Sequence, residues 1–96
     1  MKIDTRMNAV SITLVIEGHI TGINEVMQIK DIIASNAQVD SIEFIIKDAF
    51  VMPSALIGFL AKLANKDGKK IVISEAKDEL KNLLKDLSLD QTFLIR

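Results

Sequence analysis

The stretch that decides the fold is FVMPSALIGFLAKL, which runs from Phe50 to Leu63. It predicts the end of a buried strand, a tight turn at Pro53 and an amphipathic helix over Ser54–Lys66, because Pro suits the first position of a helix. The apolar residues of this helix recur at helical spacing. Leu56, Leu60, Leu63 and Ala64 share one face, with Phe59 on one flank and Ile57 and Ala61 on the other.

The polar strip of this helix is narrow and contains only Gly58, Lys62, Asn65 and Lys66. The apolar arc is therefore wider than one sheet face normally covers. Two explanations are open: neighbouring helices cover both flanks, or a partner protein covers one of them. Exposure of Ile57 or Phe59 would distinguish the two.

Strands and helices alternate on either side of this stretch. Val10, Ile12, Leu14 and Ile16 alternate with Ser11, Thr13, Val15 and Glu17, which predicts a strand with one buried face. Helical spacing then predicts a helix from about Asn24 to near Asn36, and the apolar runs SIEFII and KIVIS predict buried strands.

A last helix is predicted by four leucines at helical spacing, Leu80, Leu83, Leu84 and Leu87, and the terminal TFLI is a candidate edge strand. This order of elements predicts one α/β domain over residues 1–96. Its sheet is expected to be mixed but mostly parallel, with four to five strands and alternating helices.

The composition argues against several classes of function. The 12 Lys and Arg residues nearly balance the 13 Asp and Glu residues, and no block of like charge exists, so a nucleic-acid partner is not expected. The longest apolar run is about half of the ~20 residues that a membrane-spanning helix needs. With no signal-peptide pattern and no Cys, the sequence favours a cytoplasmic protein.

Candidate catalytic residues are few. His19 is the only His, and Asp40, Asp48 and Asp67 are loop carboxylates that could gather at one end of a parallel sheet. A solvated turn His and turn-forming Asp residues are the more common roles. We therefore expect no enzyme activity, no metal and no cofactor; an enzymatic alternative would need His19 and the aspartates to cluster in a pocket.

In order and length, these elements resemble the STAS domain, the family of bacterial anti-sigma factor antagonists and related regulatory modules. The resemblance rests on LVIEGHITGINEVMQIKDII, on the strand, turn and helix at Phe50–Leu60, on the DGKKIVIS return and on the Leu-rich last helix before TFLI. It implies a STAS fold, a role in signal transduction and a surface that binds another protein.

The resemblance also implies where a phosphorylation switch would lie in this sequence. The family's turn typically reads Asp-Ser-Ser-Gly, and a partner kinase phosphorylates its first Ser. On this sequence the four positions fall on Met52, Pro53, Ser54 and Ala55. Because Pro53 has no hydroxyl, the usual switch cannot operate there, and Ser54 is the only acceptor left in the turn.

The resulting expectation is a non-catalytic regulatory module that binds a protein through this turn and the start of the next helix. The partner-binding residues are predicted to be Asp48, Met52, Pro53, Ser54, Ile57 and Gly58. Candidate partners are an anti-sigma-type kinase, a signalling phosphatase or a sensory protein, and a homodimer is also open. The alternative is an accessory subunit of a phospholipid ABC transport system that binds the transporter ATPase.

Overall fold

Five strands form one mixed sheet in the computed structural model, which describes residues 1–96. The strands are adjacent in chain order, and only the first pair is antiparallel. The elements are β1 (Lys2–Met7), β2 (Ser11–Glu17), α1 (Ile23–Ala34), β3 (Ser41–Ile46), α2 (Ser54–Asn65), β4 (Lys70–Ser74), α3 (Asp78–Asp86), a 3-10 turn (Leu89–Gln91) and β5 (Leu94–Ile95). The predicted α/β class with a mostly parallel sheet is confirmed.

All three helices pack on one face of the sheet. Successive parallel strands from β2 to β5 are added in one direction, and right-handed crossovers between such strands place their helices on the same side. The core joins inward residues of the helices, such as Leu60 and Leu84, to Leu14, Phe44 and Ile73 on one sheet face. The opposite face of the sheet has no helix packed against it.

Strand β1 was not anticipated from the sequence. Five of its six residues are exposed and only Ile3 is partly buried, so it lacks the apolar face that identifies a strand. Two details of β2 also differ from the prediction. Val10 is exposed because it precedes the strand, whereas Val15, expected on the polar face, is buried.

The helices end close to where the sequence placed them. The first begins at Ile23 rather than Asn24 and ends at Ala34, and the second ends at Asn65. None of the helices has both the length and the apolar character needed to span a bilayer.

Candidate functional site

The candidate site lies where parallel strands β2, β3 and β4 end, because their carboxyl ends share one edge of the sheet. The loop between β3 and α2 dominates this edge. Ala49 and Met52 of this loop are buried, and both belong to the hydrophobic core. Between them Phe50 is 44% exposed and Val51 is 62% exposed. The loop therefore holds two large apolar side chains in solvent between two buried residues.

Asp48 ties this loop to the loop that follows β2. Its Oδ2 accepts a hydrogen bond of 2.8 Å from the backbone N–H of Gly18. Gly18 has φ +90, a left-handed conformation that favours glycine, and this conformation turns the chain out of β2. Asp48 was predicted among the partner-binding residues; it is exposed, and its carboxylate also fixes the relative position of two loops.

The ring of Phe50 has contacts from two neighbouring loops. The His19 ring lies 5.9 Å from it between centroids, and the Nζ atom of Lys77 lies 6.0 Å from its centroid. A cleft of about 380 Å³ opens beside it, lined by His19, Ile20, Thr21, Phe50, Val51, Met52 and Pro53. We call the outer part of this region, formed by His19, Thr21, Phe50, Val51 and Pro53, the turn surface.

The sequence suggested that Pro53 suits the first helical position of α2. In the structure Pro53 is instead the N-cap of this helix. Its φ and ψ are -58 and 143, and its carbonyl oxygen accepts hydrogen bonds from the N–H groups of Leu56 (3.0 Å) and Ile57 (3.1 Å). Ser54 follows as the first helical residue. Its side chain is exposed, and the helix has no side-chain cap hydrogen bond.

Met52 is not a surface residue. Its side chain is only 5% exposed and is part of the core, although the sequence placed it among the partner-binding residues. The reason is the geometry of the loop, which points the side chains of Phe50 and Val51 outward and that of Met52 inward. Any contribution of Met52 to a partner therefore comes from its effect on loop position.

The flanks of α2 are mostly covered by the protein itself. Ile57 and Phe59 are partly buried and pack against the core, and the Nζ atom of Lys30 on α1 lies 5.3 Å from the centroid of the Phe59 ring. Gly58 is exposed, and a Cβ atom added there would meet nothing within 4 Å. Neighbouring elements therefore account for most of the wide apolar arc of this helix.

The gathering of carboxylates that the enzymatic alternative would need does not occur. Asp48 follows β3 at the carboxyl edge of the sheet, whereas Asp40 and Asp67 precede β3 and β4 and lie at the amino edge. No group of three or more His, Cys, Asp or Glu residues is arranged to hold a metal ion. His19 contacts Phe50, and its side chain makes no hydrogen bond to a carboxylate that would orient it for proton transfer.

A second cleft, of about 480 Å³, lies at the opposite end between the carboxyl ends of α1 and α2. Ile33, Phe59 and Leu63 contribute to its lining. Lys69 also lines it and donates hydrogen bonds from Nζ to the carbonyl oxygens of Ala37 (2.8 Å) and Val39 (2.5 Å). Its large apolar lining residues are mostly buried in the fold, whereas Phe50 and Val51 of the turn surface are exposed.

The exposed apolar residues at this end of the molecule were not predicted from the sequence. Phe50 and Val51 were assigned to a buried strand end. Ile23 and Met27, four residues apart on α1, are 65% and 49% exposed. Their i, i+4 spacing places them on one side of the helix, and this spacing could have identified them as neighbours from the sequence.

The arrangement of strands and helices is similar to that of a protein of known structure. The solved structure of the anti-sigma factor antagonist SpoIIAA in its unphosphorylated form superposes with a TM-score of 0.79 at 13% sequence identity, covering 99% of this chain and 88% of that chain. The predicted STAS fold is thereby confirmed. No family model matches the sequence, and no curated protein matches it.

The same substitution should destabilise the domain strongly at Met52 and hardly at all at the adjacent Val51. Met52→Asp places a carboxylate in the core and should lower the free energy of unfolding by about 3 kcal/mol or more. Val51→Asp places it in solvent and should change stability by no more than about 0.5 kcal/mol. Chemical denaturation of both variants measures the difference. Equal effects of the two substitutions would contradict the burial of one side chain and the exposure of the other.

Proposed function

We propose that this chain is a non-catalytic regulatory module of the cytoplasm that binds another protein through the turn surface. The observation that carries the proposal is the exposure of Phe50 and Val51 between the buried residues Ala49 and Met52. Scattered apolar residues are normal on protein surfaces, but adjacent ones beside a cleft are typical of a binding site. The STAS fold supports a regulatory module as the class of protein.

The proposed surface extends from the turn onto the start of α1. This helix begins directly after the loop that carries His19 and Thr21, and its exposed Ile23 and Met27 add apolar area at the same end of the sheet. The polar residues Asp48, Ser54 and Lys77 border this area. Ile57 and Gly58 lie beside it on the first turns of α2. An apolar centre with a polar rim is the common anatomy of protein interfaces.

The proposed partner is an anti-sigma-type kinase, a signalling phosphatase or a sensory protein. In the STAS family, phosphorylation of the turn controls binding, and Pro53 stands here at the acceptor position. A proline N-cap also fixes φ and removes one backbone donor, which stiffens the turn. We propose that the turn surface binds its partner without control by phosphate at that position.

Substitution on the turn surface should weaken binding without unfolding the domain. Affinity purification from the host, with mass spectrometry of the co-purified proteins, identifies the partner. Phe50→Asp and Val51→Asp should each raise its Kd by more than about tenfold, or ~1.4 kcal/mol, because each places a charge in an apolar contact. Isothermal titration calorimetry gives the Kd, and thermal melting checks the fold of each variant.

Leu87→Asp is the matched control, because Leu87 is an equally exposed apolar residue that follows the far end of α3. It should bind the partner with wild-type affinity. Wild-type affinity in both turn variants would refute the proposed surface. Recovery of an ABC transporter ATPase as the partner would instead assign the chain to the transport alternative.

Ser54 should carry little or no phosphate in the cell, and Ser54→Ala should change partner affinity by less than about threefold, because a hydroxyl on the rim of an interface contributes little to binding. The fold itself would tolerate a phosphate, because a dianion near the amino end of α2 gains roughly 0.3 to 2 kcal/mol from the helix dipole, and no acidic residue lies in the first turn. Peptide mass spectrometry of protein isolated from its host measures the modification. Abundant phosphate at Ser54 would show that the switch has moved by one residue and has not been lost.

A further inference from the structure

Strand β1 has an unpaired edge whose hydrogen-bonding groups can be assigned residue by residue. The strand pairs with β2 in a register that continues to Asn8 and Ser11, where the N–H of Asn8 donates to the carbonyl of Ser11 at 3.0 Å. Hydrogen-bonded and non-hydrogen-bonded pairs alternate along an antiparallel ladder. Lys2, Asp4 and Arg6 therefore direct their backbone groups toward β2, and Ile3, Thr5 and Met7 direct theirs outward.

The side chains of this edge are free as well. Asp4 and Arg6 are exposed, and neither forms a salt bridge or a side-chain hydrogen bond in the chain. On β2 they face Val15 and Thr13, which carry no charge. Met7 is 49% exposed, although it points to the same sheet face as the core residue Ile12. An acidic residue, a basic residue and an apolar residue thus lie without partners on one free edge.

We propose that a second copy of this chain pairs with this edge, antiparallel and centred on Thr5. In that register Thr5 faces Thr5 of the second copy, and Ile3 faces its Met7. The outward backbone groups of Ile3, Thr5 and Met7 are then paired in both copies, and about six hydrogen bonds join the two strands. The sheets of the two copies join into one continuous sheet.

Charge complementarity selects the same register. With Thr5 on the dyad, each Asp4 lies opposite Arg6 of the other copy, and these are non-hydrogen-bonded pairs whose Cα atoms approach to about 4.5 Å. A two-residue shift toward the amino end would place Asp4 against Asp4 and Lys2 against Arg6. A shift the other way would place Arg6 against Arg6. Both shifts oppose like charges and also pair fewer outward backbone groups.

The contact is small, so the dimer should be weak and should depend on protein concentration. It buries one edge strand of six residues with the side chains of Ile3 and Met7, less than the area of a typical stable interface. Charged edge residues usually protect a sheet from pairing. Here their order along the strand makes them attractive to an identical strand, which gives the edge a specific partner.

Charge reversal tests this pairing through sedimentation equilibrium of the purified chain. Wild type should show a monomer–dimer equilibrium, and Asp4→Arg and Arg6→Asp should each weaken it by about tenfold or more. An equal mixture of these two variants should form heterodimers, because every facing pair is again opposite in charge. The double variant D4R/R6D should dimerise like wild type for the same reason.

Thr5→Pro is an independent variant, since it removes an outward N–H group and spares the hydrogen bonds to β2; it should also weaken the dimer. Asp31→Arg, the same charge change on an exposed residue of α1, is the control and should have no effect. Thermal melting confirms that each variant is folded. A monomer at all concentrations, or a dimer that is indifferent to Asp4→Arg or not restored in D4R/R6D, would overturn the proposal. The proposed function does not enter this test.

Discussion

The direction in which strands are added to the sheet is the constraint on which the other features depend. From β2 onward each strand joins the same side of its predecessor and runs parallel to it. Right-handed connections then bring every helix to one face. They also bring the loops that follow β2, β3 and β4 to one edge, where His19 and Lys77 both lie near the ring of Phe50.

In the loop after β3, two exposed side chains lie between two buried ones. Ala49 and Met52 belong to the core, and the two residues between them, Phe50 and Val51, are exposed to solvent. Asp48 holds the start of the loop through Gly18, and Pro53 fixes its end as the N-cap of α2. A loop restrained at both ends loses little further entropy when it binds, which favours a surface of this kind in recognition.

Most of the architecture could be predicted because the buried helices and strands repeat their apolar residues with a regular period. Leu80 and Leu84 identify α3 in this way, and SIEFII identifies β3. Strand β1 could not be recognised, because a strand at the edge of the sheet with polar and charged residues has no buried face to mark it. The order of the elements, together with the turn residues, was enough to suggest the STAS fold.

The candidate site was harder to predict for a different physical reason. A loop has no period, so the sequence does not say which of Phe50, Val51 and Met52 points inward; the prediction placed Met52 on the surface, and it is buried. The separation of Asp48 from Asp40 could have been predicted from the direction of the chain alone. A residue that precedes a parallel strand and one that follows it lie at opposite edges of the sheet.

Whether a partner protein covers the loop after β3 is measured most directly by hydrogen exchange of the chain with and without its captured partner. We expect slower exchange in the peptides that contain Phe50–Ile57 and His19–Ile23, with unchanged exchange around Ala37 and Lys69 at the other end of the sheet. Slower exchange confined to the cleft between the carboxyl ends of α1 and α2, with no change at Phe50 and Val51, would contradict the account.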